Sequence, residues 1–143
     1  MPRNRRSVLL VVGYVLLIFI VSSIPSLTAP GPDFIPKDKI AHLVEYSILG
    51  ALLFKGFGWS VSRSRLATLA FIVAVGASIG ALDEIYQSFV PGRMMSIYDW
   101  AADATGTALG AGLFVFTPLG KRAGAKPPMA EAASAPKSTG RSQ

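Results

Sequence analysis

Gly80-Ala-Leu-Asp-Glu-Ile-Tyr-Gln-Ser-Phe-Val-Pro-Gly-Arg-Met-Met-Ser-Ile-Tyr-Asp-Trp-Ala-Ala-Asp103 places Asp83, Glu84, Gln87, Arg93, Asp99 and Asp103 between two strongly apolar segments. Neither a soluble core nor a plain lipid-facing helix calls for so many acids there. Ionisable groups at or inside a bilayer are expensive, so they are paired, sheltered and functional as a rule. The reading of this stretch depends on what those groups face.

Outward from it, the apolar residues arrive in long runs rather than at amphipathic spacing, which is the mark of membrane spans. Charged residues make up 15% of the 143-residue chain, well below the roughly 25% typical of soluble domains. The absence of cysteine removes disulfides, thiol catalysis and thiolate metal sites. The net charge of +6 does not point to nucleic acid, because the basic residues fall at the ends of apolar runs, where membrane topology puts them.

Val8 to Val21 is free of charge behind a basic leader containing Arg3, Arg5 and Arg6. Its length suits a secretory signal or a first span. Leu27-Thr28-Ala29 lacks the small-x-small pattern of a cleavage site, so a retained helix is expected. Pro25, Pro30, Gly31, Pro32 and Pro36 predict an extended loop, since proline lacks the amide hydrogen and fixes its dihedral. Asp38 is placed to cap a second helix, with the span running from Ile40 to Phe57. Leu66 to Leu82 forms the third span. Pro91-Gly92 breaks the chain, and a fourth runs from Trp100 to Pro118, with Asp99 or a neighbour as its cap. The expected architecture is an all-α, polytopic membrane bundle of four transmembrane helices over residues 1–118. Residues 119–143, rich in Ala, Pro, Ser, Lys and Gly, form a disordered basic tail.

Arg3, Arg5, Arg6, Lys55, Arg63, Arg65, Lys121, Arg122, Lys126, Lys137 and Arg141 fall at one set of segment ends. Only Lys37, Lys39 and Arg93 fall at the other. The positive-inside rule then puts both termini in the cytoplasm. All acids but Glu131 lie on the outward side, so the polar site is expected at the extracytoplasmic face of the cell membrane.

Residues three or four apart share a helix face. Asp38, His42, Glu45 and Leu49 form one stripe, with Tyr46 beside it. Gly76, Gly80, Asp83 and Gln87 form a second if the third helix continues past Glu84, and Asp99, Asp103, Gly106 and Gly110 form a third. Small residues at four-residue spacing let helices approach closely, which turns these faces inward and gathers the acids near the outer end.

The stretches Asp38-Lys39-Ile-Ala-His42-Leu-Val-Glu45-Tyr46, Asp83-Glu84-Ile-Tyr-Gln87-Ser-Phe89-Val-Pro91-Gly-Arg93 and Asp99-Trp-Ala-Ala-Asp103-Ala-Thr-Gly106 resemble the VanZ-like family of small membrane proteins. The resemblance spans roughly residues 8 to 117. Glu45 is a variable addition to that pattern, and Asp103 stands where the family usually has Asn. The resemblance implies a multi-span membrane protein whose founding member is linked to resistance to the glycopeptide teicoplanin. It implies no settled biochemical activity.

The candidate site is therefore Asp38, His42, Glu45, Tyr46, Asp83, Glu84, Gln87, Arg93, Asp99 and Asp103. A histidine with carboxylates could act as general base or hold a divalent metal. Yet the chain has a single histidine and no spaced metal motif, so no metal, cofactor or catalytic residue is assigned. The competing reading is an interhelical polar network. Arg93 suits pairing with Asp83, Glu84 or Asp99, or holding a lipid phosphate, with internal pairing favoured. Tyr86, Phe89, Tyr98 and Trp100 fit an aromatic belt. The function expected is binding of membrane lipids, including a lipid-linked cell-wall precursor or glycolipid, with a role in glycopeptide (teicoplanin-like) resistance or envelope homeostasis. A membrane enzyme acting on lipid-linked phosphate or pyrophosphate, and a structural or transport subunit, are the alternatives.

Overall fold

The computed structural model describes residues 3–25, 37–58 and 64–117. Four α-helices make up these residues, with no strand among them: α1 Arg3–Ser22, α2 Lys37–Leu53, α3 Arg65–Gln87 and α4 Ile97–Val115. A π-helical turn, Phe54–Gly58, extends α2. Segments Arg5–Ser22, Lys37–Phe57 and Arg65–Gln87 are long and apolar enough to cross a membrane. The fourth helix is long enough, but Asp99, Asp103 and a body of Gly, Ala and Thr keep it from being apolar enough by composition. The proline-rich loop and the tail expected at residues 119–143 lie outside the described residues.

Two helix starts differ from the sequence reading. The second helix is already formed at Lys37, so Asp38 sits in its first turn and is not its cap. Its carboxylate still favours that position, near the positive end of the helix dipole. The cap of α4 is Ser96, whose hydroxyl accepts from the Asp99 amide at 3.3 Å. A serine three residues ahead of an acid is a strong start signal. At α3, Ser64 accepts from the Ala67 amide. That helix runs without interruption past Glu84 to Gln87. It then turns through Gly92 at φ 79°, a left-handed conformation that suits glycine.

The helices alternate in direction. The end of α1 meets the end of α3 through Ser22 and Asp83, while the starts of α2 and α4 meet through His42 and Asp103. The closest pairing is α2 with α4, and glycine makes it possible. A Cβ on Gly110 would land on the Ser47 carbonyl oxygen, one on Gly106 on the Leu43 carbonyl oxygen, and one on Gly50 on the Thr107 carbonyl oxygen. On α3, Gly76 lies against the Thr107 side chain. The expected inward turn of the glycine faces on α3 and α4 is therefore found, and Gly50 adds a third that the sequence reading did not single out. Such close backbone approach supplies van der Waals contact where lipid removes the hydrophobic drive between helices.

Candidate polar site

The termini that converge at one end of the bundle carry the acids. The buried face of α2 contains His42, Tyr46, Leu49, Gly50 and Leu53. Its centre is Tyr46, so the stripe is rotated from the expected Asp38–Glu45 line. Asp38 is exposed and Glu45 half-buried. Asp38 therefore stays out of the cluster. Glu45 contributes its backbone carbonyl, which accepts from the Tyr14 hydroxyl at 3.1 Å.

Three helices supply the centre. His42 Nδ1 lies 2.9 Å from Asp103 Oδ1. Glu84 completes a group in which one ligand-type atom from each of the three residues lies within 4.8 Å of the others. All three are buried, Asp103 fully. A Cβ at Gly80 would stand 2.7 Å from Asp103 Oδ2, so glycine there makes room for the carboxyl group of the opposite helix.

Beside this centre, Asp83 Oδ2 accepts from Ser22 Oγ and from Gln87 Nε2, both at 2.9 Å. Gln87 Nε2 also donates to Ser22 Oγ at 3.2 Å. This knot ties α1 to α3. Glu84 Oε2 accepts from the Ser96 amide at 2.7 Å, which ties the end of α3 to the start of α4. Asp99 pairs with Lys39 at 3.0 Å. Arg93 is half-buried and forms no ion pair within 4.0 Å among the described residues, so the internal pairing favoured by the sequence falls to Lys39. Among the described residues, four buried polar atoms have no hydrogen-bond partner: Tyr46 OH, Asp83 Oδ1, Glu84 Oε1 and Asp103 Oδ2.

Sequence reasoning missed Ser22, Lys39 and Ser96. Ser22 carried a signal, as a hydroxyl at the C-terminal end of the first apolar run. Lys39 lies one residue from the expected stripe and reaches Asp99 through its long stem. Trp100, expected in an aromatic belt, is tied inward by its indole N–H, which donates to the Ala77 carbonyl at 2.9 Å.

Next to Glu84 an apolar groove of about 250 Å³ is lined by Ala81, Glu84, Ile85, Met95, Ser96, Ile97 and Trp100. Phe89, Met94, Met95, Ile97 and Tyr98 are exposed along the adjoining turn and helix start. Exposed apolar side chains at a helix end fit the boundary between hydrocarbon and headgroups.

A family model described as VanZ/LLP1 matches residues 7–118. No curated protein and no solved structure matches the chain.

Proposed function

The chain belongs to the VanZ/LLP1 family, and we propose that it is a four-span membrane protein that binds an anionic envelope lipid at the polar end of its bundle. In this reading both termini are cytoplasmic, the polar end faces outward across the cell membrane, and α4 completes the bundle as the fourth span. Lipid-linked cell-wall precursors belong to the same ligand class, with a long apolar chain and a phosphate head.

The observation that carries the proposal is the position of Arg93. It is half-buried and without an ion pair among the described residues, two residues before Met95 in the wall of the apolar groove. The groove accepts a hydrocarbon chain, and a guanidinium fork suits a phosphate. Lys39, paired with Asp99 but still partly exposed, adds positive charge at the same end.

Two measurements test the reading. The chain has no cysteine, so Met94→Cys is a single thiol that a membrane-impermeant maleimide should label on intact cells; labelling only after lysis would overturn the outward placement. For the ligand, wild type and Arg93→Gln are extracted with native lipid and compared by mass spectrometry. Anionic lipid should be retained by the wild type and depleted from the variant. Equal retention by two folded proteins would remove Arg93 from any binding role.

A further inference from the structure

We propose that His42, Glu84 and Asp103 hold one divalent transition-metal cation between α2, α3 and α4. Their donor atoms lie within 4.8 Å of one another, and the residues are 4%, 2% and 0% exposed. Each helix supplies one donor. This explains why no spaced metal motif is visible along the chain.

A second observation points to a ligand. Among the described residues, Glu84 Oε1 and Asp103 Oδ2 are buried without a hydrogen-bond partner, although Glu84 Oε2 is held by the Ser96 amide. A buried carboxylate oxygen left unpaired is costly in a low-dielectric interior. Glu84 thus has one oxygen fixed by the protein and one unpartnered. That is how a protein orients metal-binding carboxylates, with hydrogen bonds holding the ligand in place.

Charge leads to the same conclusion. Asp83, Glu84 and Asp103 are buried together near the end of the bundle, and the ion pair of Lys39 goes to Asp99. A protonated His42 could offset one of the three carboxylates, whereas a divalent cation adds two positive charges between Glu84 and Asp103. The donor chemistry selects the ion. One imidazole nitrogen with carboxylate oxygens suits zinc or manganese, while calcium and magnesium favour all-oxygen sites. The proposal is independent of lipid binding, because none of its donors is Arg93.

The test uses the full chain, purified in detergent without a histidine tag so that its single histidine is the only imidazole present. After chelator treatment and its removal, zinc and manganese are each titrated against thermal stability, and bound metal is counted by mass spectrometry. About one equivalent of zinc or manganese should bind and raise the melting temperature. Glu84→Gln retains the size of the side chain and an acceptor for the Ser96 amide, and should weaken binding roughly tenfold or more. Asp38→Asn, at an exposed acid on the same helix, should bind as the wild type does. The proposal is overturned if the folded wild type takes up neither ion, or if Glu84→Gln binds as tightly as the wild type. Should Glu84→Gln fail to fold, the wild-type titration decides alone.

Discussion

The two ends of the bundle use the same helices and opposite chemistry. At one end, Phe54 and Phe114 stack with centroids 5.7 Å apart, Lys55 lies 5.0 Å above the Phe114 ring, and Val11, Leu53 and Val115 are buried in the same core. At the other, His42, Asp83, Glu84, Gln87, Asp99 and Asp103 are all buried. Apolar side chains tolerate small shifts, because dispersion is non-directional. Buried acids require particular partners at particular distances. The apolar end can therefore repack after a substitution, while the polar end fixes which helix faces which.

Substitutions at the two ends should separate these roles. The largest effect is expected for Asp103→Ala, which leaves His42 without its partner and opens space beside Gly80. Breaking a buried pair costs about 3–5 kcal/mol, and reversible unfolding in detergent should show it; a loss below roughly 1 kcal/mol would mean the polar end is dispensable for folding. Phe54→Ala should cost less, about 2 kcal/mol. A cavity of roughly 100 Å³ at ~24 cal/mol per Å³ gives that figure, and lipid removes most of the transfer term. The same unfolding assay checks it, and an effect as large as that of Asp103→Ala would erase the contrast between the ends. Lys55→Met should have the smallest effect. It removes only the cation over the Phe114 ring, worth about 0.5–1 kcal/mol, and its melting curve should nearly overlay that of the wild type.

Much of the architecture is legible along the chain because lipid simplifies the code. The uninterrupted runs at Val8–Val21 and Leu66–Leu82 announce α1 and α3, and the four-residue spacing of Gly76 with Gly80, and of Gly106 with Gly110, marks the inner faces of α3 and α4. The acids of α3 and α4 are gathered by the same periodicity. What periodicity along one helix cannot supply is rotation and register between helices. Asp38 looked like part of the site because it is four residues from His42, but the buried face is centred on Tyr46. Asp99 looked like a cap and a partner for Arg93. Ser96 is the cap, a local signal within α4, and Lys39 stands in for Arg93 as the partner of Asp99, a pairing that depends on how α4 sits along α2. The grouping of His42 with Glu84 and Asp103 has the same origin. It exists only across three helices, so no spacing in the sequence encodes it.

Thr107 is fully buried, with its hydroxyl donating to the Asp103 carbonyl at 2.9 Å. Gly76 of α3 faces its side chain, and Gly50 of α2 faces its carbonyl oxygen. Three helices thus meet at one residue with no slack between them. A Cβ on either Gly50 or Gly76 would collide with it. Thr107 therefore sets the spacing of α2, α3 and α4 at the level just below the polar end.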